Sequence, residues 1–398
     1  MKVRVPATQR EWMSLLMIIA IFVVDAVFRV RSYDDKSLDT QVVLKLLVYC
    51  WIFMLGGLLQ RETGVTFRYL HNKAVLLLIV GFTLSSFWAP NMAYALVASF
   101  SLLSYFLFIT SYASLNGTDE LLTCMAKALF IFICVSFLFY FFIPEVGKIS
   151  YWEFDVYVEG GRMSGIAGSA NNLGRIACLG VILSVYFMVK GKTGRLYKWL
   201  LILSLAALVL SLNRSSFLMA IIGSWIVTFS WRYRQIYALV LLIGVICIIG
   251  SMFFLEDLLL ILSRSGNLDE ILTFTGRTYI WSVVTDLLLE KPLIGYGYGS
   301  SMFVLPVYEY AIGFTASHAH NMILQVLLYL GVVGGLIMMS SFILFFVGQK
   351  NITKIQMALI VYVLYNGLLE SGAFNGLVNI TTVALFVAFN AVEREKVS

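Results

Sequence analysis

Long apolar runs set the first constraint on what this chain can fold into. Runs near 12–30, 39–60, 73–89, 92–115, 120–143, 170–190, 196–212, 215–231, 236–255, 319–347, 355–370 and 377–391 each approach the ~20 residues a helix needs to cross a bilayer core. Backbone polar groups find no water there, so runs of this kind cross as helices. The expected architecture is an all-α integral membrane protein, one polytopic domain over residues 1–398 with about 12 transmembrane helices. Composition agrees. Of 398 residues, 60% are hydrophobic and 13% charged, and the mean hydropathy is +0.90; soluble domains run about 45–50% apolar and about 25% charged. A soluble enzyme is excluded, and the net charge of +6 carries meaning only through where the charges lie, so nucleic acid is not the expected partner.

Most of the 28 basic residues, from Lys2, Arg4 and Arg10 through Lys190, Lys192, Arg195 and Lys198 to Lys350 and Lys354, fall on the side of the termini. The positive-inside rule then puts both termini in the cytoplasm. No small-residue cleavage site follows the first apolar run before Asp25, which reads as a retained span. Cys50, Cys124, Cys134, Cys178 and Cys247 lie inside apolar runs and read as small hydrophobes. Antiparallel packing of the first two spans brings Asp25 and Lys45 to one depth, where an ion pair lowers the cost of both charges. His71 falls in a cytoplasmic loop.

Two external loops are long, residues 144–169 and residues 256–318, the latter just before the tenth span. In the second, Ile280, Val283, Val284, Leu287 and Leu288 recur at i, i+3, i+4, i+7 and i+8, the stripe of an amphipathic helix over about 277–290, ended by Pro292. That helix places Arg277 in its first turn and has the character of one lying on a membrane face over a cavity.

The same side collects Arg162, Arg175, Arg214, Arg277, His318 and His320. Arg214 interrupts two apolar runs in SLNRSS, where an isolated cation is expensive. Guanidinium forks bind phosphate oxygens bidentately and keep their charge, which suits a diphosphate at a membrane surface. A diphosphate leaving group needs charge stabilisation more than a proton donor, and the attacking hydroxyl needs a base, a role that fits histidine at neutral pH. Two histidines without a nearby cysteine or third ligand argue against zinc. IGYGYGS (294–300) looks like a potassium filter but sits in a loop, where a glycine-permitted turn is the simpler reading. Tyr296 and Tyr298 offer flat amphipathic faces of the kind that stack on sugars.

Residues 275–335, with TGRTYIW, KPLIGYGYGS and SHAHNMILQVLLYLGVVGG, resemble the external loop and following span of the O-antigen ligase and O-antigen or exopolysaccharide polymerase superfamily. The most specific part is His320-Asn321 followed at fixed spacing by Gly331, Gly334 and Gly335. GGRMSGIAGSANNLGR (160–175) and SLNRSS (211–216) extend the match. The resemblance implies a GT-C-like glycosyltransferase at the periplasmic face of a bacterial inner membrane. Its donor would be a glycan on undecaprenyl diphosphate, its acceptor another glycan, its surroundings membrane lipid. It implies no metal or other cofactor. By the same resemblance, Arg214 and Arg277 bind the diphosphate and His320 activates the acceptor hydroxyl, with inversion at the anomeric carbon. Arg162, Arg175, His318 and Asn321 complete the substrate-binding set. Asn321 and the three glycines are read chiefly as structural, the glycines permitting close approach of a neighbouring helix. Polymerase is preferred over ligase, which would use the lipid A core as acceptor. A lipid-oligosaccharide transporter is the alternative from another class, though carriers more naturally line a path with paired charges at mid-membrane. A flippase and a chain-length regulator follow as partners by analogy.

Overall fold

The computed structural model describes residues 7–28, 40–63, 69–153, 156–229, 276–349, 351–369 and 372–391. The apolar run expected at 236–255 and the first part of the 256–318 loop lie outside the described residues. The long helices are α1 (Ala7–Val24), α2 (Thr40–Thr63), α3 (Leu70–Ser85), α4 (Met92–Asn116), α5 (Thr118–Phe142), α6 (Ala170–Val189), α7 (Arg195–Ser211), α8 (Arg214–Thr228), α9 (Arg277–Glu290), α10 (Met322–Gly348), α11 (Lys354–Leu369) and α12 (Ile380–Asn390). Among the described residues, 6 stretches are long and apolar enough to cross a membrane: Thr40–Arg61, Leu70–Trp88, Met92–Asn116, Thr118–Phe142, Ala170–Val189 and Met322–Gly348. The chain is a helical, multi-pass membrane protein.

The apolar runs differ in length and in what surrounds them. Helix α12 has 11 residues, all of them buried. At 1.5 Å per residue it covers only about half of a ~30 Å hydrocarbon core. Ahead of it the backbone from Gly372 to Asn379 is irregular and largely buried, with Val378 N donating to Ser101 Oγ at 3.1 Å. Irregular backbone at such depth is tolerated where protein covers it. Hydropathy registers both segments as one run because it cannot separate a lipid-facing span from a helix enclosed on every side.

The helices alternate in direction, and hydrogen bonds between their ends define two faces. At one, Lys190 and Lys192 each approach Asp119 at 3.2 Å, Asn72 donates to Asn390 Oδ1 at 3.0 Å, and Lys354 donates to Thr228 O at 3.3 Å. His71 belongs here too. It sits in the first turn of α3 rather than in a loop, buried against the Phe389 carbonyl at 3.2 Å. At the other face Val27 N donates to Ile166 O at 2.7 Å, tying the end of α1 to the entry of α6.

Asp25 and Lys45 are neighbours at this second face, as expected, and each also bonds elsewhere. Asp25 accepts from Ile380 N at 2.8 Å and Lys45 donates to Val24 O at 3.2 Å, with Arg175 a second cation near the carboxyl. The loop 144–169 departs from an all-helical reading. It carries an antiparallel hairpin, β1 (Lys148–Glu153) and β2 (Val156–Met163), with Ile149 opposite Arg162. The β-branched and aromatic residues of KISYWE and VYVEGGRM favour extended backbone, but the runs are too short to stand out from loop.

Helix α10 breaks at Gly331, whose φ of 60° and ψ of −157° belong to neither helix nor strand. The break frees carbonyls that the IGYG segment satisfies: Tyr296 N donates to Leu328 O and Gly297 N to Tyr329 O, both at 2.9 Å, while Val332 N donates to Pro292 O at 2.8 Å. A side chain at Gly331 would overlap the backbone of Pro292 and Leu293. The close approach permitted by this glycine is thus to a loop, not to a neighbouring helix. Tyr298, expected as a sugar platform, is fully buried and stacks on Phe82 with ring centroids 4.2 Å apart.

Candidate active site

Helix α9 begins at Arg277 and buries Ile280, Val283, Val284 and Leu287, the periodic stripe of its sequence. These residues cluster with Ala316, Ala319 and Leu328, so α9 packs on α10 and on the turn that precedes it. Trp281, one turn after Arg277, donates its indole Nε1–H to Ala319 O at 2.9 Å. The opposite end of Ala319 is also held, its N–H donating to Gln325 Oε1 at 2.7 Å. Gln325 Nε2 donates in turn to Ser301 Oγ at 2.8 Å and to the Tyr329 hydroxyl.

His320 follows directly, with a φ of 48°. Left-handed backbone is uncommon outside glycine and marks a residue held by its surroundings. The rings of His318 and His320 lie 3.9 Å apart at 35°, and His318 Nδ1 meets Ser317 Oγ at 2.9 Å. Both imidazoles are half-buried. Asn321 caps α10, its Oδ1 accepting from Ile323 N at 2.9 Å and Leu324 N at 3.2 Å, which agrees with a structural role. No group of three or more His, Cys, Asp or Glu side chains able to hold a metal occurs among the described residues.

Arg162, Arg175 and Arg214 form a second group on the same face. Arg162, buried on β2, donates from Nε to Ser211 O at 2.9 Å and from a terminal nitrogen to Asn171 Oδ1 at 2.9 Å. It thereby closes the end of α7 against the start of α6. Asn213 caps α8, accepting from Ser216 N at 3.1 Å, and donates to Asn171 O at 3.0 Å. Arg214, the first residue of α8, is exposed at the edge of a groove of about 320 Å³ lined by Val209, Leu212, Phe217 and Leu218. Arg175 donates to Asn172 Oδ1 at 3.2 Å, and its Nε is buried without a hydrogen-bond partner among the described residues.

Helix α11 joins the two groups. The Tyr362 hydroxyl donates to Arg175 O at 3.2 Å. Five residues on, a rise of about 7.5 Å at 1.5 Å per residue, Gly367 packs on Met322: a Cβ there would come within 3.0 Å of Met322 Cε. The arginines at the starts of α6 and α8 and the histidines before α10 therefore share one end of the bundle. Sequence reading missed Trp281 and Gln325. Gln325 carried a signal, an amide inside an otherwise apolar span, where polar residues tend to have a function or a partner.

Fold and site together define a multi-pass membrane protein with arginines and histidines gathered at one face. Residues 199–339 match the Wzy_C family, described as O-Antigen ligase. This segment holds Arg214, Arg277, His318, His320 and Asn321, and its match supports the resemblance to the O-antigen ligase and polymerase superfamily read from those motifs. A Rickettsia conorii protein provisionally named a polysaccharide ligase is 35% identical over 65 residues. That match covers 15% of this chain and spans 16% of the relative's own length.

Proposed function

We propose that the chain is a membrane glycosyltransferase that polymerises undecaprenyl-diphosphate-linked oligosaccharide repeat units at the external face of the cytoplasmic membrane. The observation that carries this reading is the Trp281–Ala319 hydrogen bond at 2.9 Å, which docks the helix starting at Arg277 onto the turn bearing His320. This supports reading Arg277 as the phosphate-binding cation on a helix packed against the turn that carries His320, the candidate base. In the proposed reaction His320 takes the proton of an acceptor hydroxyl as its oxygen bonds to the anomeric carbon. The bond from that carbon to the phosphate oxygen breaks, and its electron pair leaves with the diphosphate. Arg277 and Arg214 stabilise the charge that develops there. Arg175 and His318 border the glycan.

Ligation is the second reading, favoured by the description of the matching family and by the name of the Rickettsia relative. The reactions differ in acceptor, not in site chemistry. The test is to offer the purified full-length chain lipid-linked repeat units, with and without lipid A core. A ladder of products supports polymerisation, and a single addition to core supports ligation. No glycosidic product with either acceptor overturns both in favour of transport. His320→Ala should abolish product while the protein remains in the membrane, and unchanged product would remove histidine as the base.

A further inference from the structure

We propose that Trp281 and Gln325 are positioning residues that clamp the two ends of Ala319 and so fix the direction in which the His320 imidazole points. The proposal rests on the reading of His320 as the acceptor base. Ala319 is fully buried, and its N–H and C=O are satisfied by side chains from two different helices, Gln325 of α10 and Trp281 of α9. Gln325 is fully buried as well. An apolar residue would fill its place in α10 without the cost of burying an amide, yet its oxygen takes Ala319 N and its nitrogen is spent on Ser301 and Tyr329. The nitrogen end of the amide is thus fixed independently of Ala319, which aims its oxygen. The residue after the histidine is held too, because Asn321 caps α10. His320 stands between two pinned neighbours with a positive φ of 48°, a conformation uncommon outside glycine.

The clamp also sets a distance. Arg277 and Trp281 are four residues apart on α9 and so lie on one side of that helix. The hydrogen bond from Trp281 therefore fixes the cation against the turn that carries the base. Losing it would leave the diphosphate site intact on α9 while allowing the imidazole to drift.

The full-length protein in detergent, with lipid-linked oligosaccharides extracted from its host membranes as donor and acceptor, provides the test. Trp281→Phe keeps the ring and removes the Nε1–H, and Gln325→Leu keeps the volume and removes both polar ends. Turnover should fall between about tenfold and a hundredfold in each, the cost expected when a reacting group is displaced by about 1 Å. Affinity for undecaprenyl diphosphate should stay at the wild-type value in Trp281→Phe, and its thermal midpoint should fall by no more than the loss of one buried hydrogen bond entails, with the protein still folded at the assay temperature. Arg277→Ala serves as the reference that loses affinity. Wild-type turnover in Trp281→Phe overturns the clamp, as does a fall in turnover matched by an equal loss of undecaprenyl diphosphate affinity or of folded protein, which would mean general packing. His320→Ala separates the two ideas: an active His320→Ala enzyme refutes the base itself, whereas an inactive one beside a normal Trp281→Phe enzyme refutes only the clamp.

Discussion

The carboxylate of Asp25 accepts the backbone N–H of Ile380 at 2.8 Å, so the end of the first helix caps the start of the last. Helix α12 is short and enclosed, and its first N–H groups have no water to turn to. A carboxyl oxygen placed at a helix N-terminus takes one of those N–H groups. Asn379 supplies the other half of the cap through Thr382 N at 3.0 Å. Asp25→Ala should cost about 1–3 kcal/mol, the range for leaving a buried donor unsatisfied, and Asp25→Asn less, since it retains an acceptor oxygen. Thermal unfolding of the detergent-purified protein measures both, and an Asp25→Ala midpoint equal to wild type would show that the bond contributes nothing.

Gly331 is the point at which the external loop is fastened to α10. Its φ of 60° and ψ of −157° lie in a region that only glycine occupies freely. Gly331→Ala should cost about 1–3 kcal/mol from backbone strain, with more from the overlap with Pro292 and Leu293. The IGYG segment should then detach, visible as faster protease cleavage between residues 291 and 300 than in the wild type. Unchanged cleavage with unchanged stability would mean that the loop is held elsewhere.

How far these features are legible in the sequence depends on the length scale of the interaction. The stripe of Ile280, Val283, Val284 and Leu287 is a local periodicity, and those residues are the ones α9 buries. The spacing of His320, Asn321 and Gly331 is local as well, and Asn321 does cap α10. The partners are not legible. A glycine inside an apolar span suggests close approach of a second helix, whereas Gly331 admits the loop backbone of Pro292 and Leu293. Depth brings Lys45 near Asp25, but nothing along the chain adds that the carboxyl accepts from Ile380, 355 residues away. Charge and side of the membrane group Arg162 with the diphosphate cations, and no pattern along the chain reveals that Ser211 and Asn171 take its donors.

Asn213 positions Arg214 from the preceding residue. Its side chain caps α8 and reaches Asn171 O at 3.0 Å, anchoring α8 to α6. Asn213→Ala should lower stability by about 0.5–2 kcal/mol, the range for losing an N-cap. Asn213→Asp retains the acceptor for Ser216 N but loses the donor to Asn171, so it should fall between Ala and wild type. If Arg214 binds diphosphate, both variants should weaken undecaprenyl diphosphate binding in the same order, measured by titration of the purified protein. Affinity that ignores Asn213 would detach Arg214 from the donor site.

Arg162 and Arg277 carry the same charge at the same face but should fail in different ways when removed. Arg162 is buried, and two of its nitrogens are spent within the fold, on the last carbonyl of α7 and on Asn171. Removing it leaves Ser211 O and Asn171 Oδ1 without that donor, a loss of about 1–3 kcal/mol when a buried group goes unsatisfied. Arg277 is half-buried at the first turn of α9, where a guanidinium can meet a phosphate bidentately. Arg162→Ala should therefore lower the thermal midpoint and leave undecaprenyl diphosphate affinity nearly unchanged in the protein that remains folded. Arg277→Ala should do the reverse, weakening affinity by about tenfold to a hundredfold, the equivalent of roughly 1.5–3 kcal/mol for a charged hydrogen bond. Arg277→Lys should recover only part of this, because an ammonium keeps the charge but not the fork. Should Arg277→Ala bind as tightly as wild type while Arg162→Ala loses the ligand, the diphosphate would belong to the group around α6 and α8 and not to the first turn of α9.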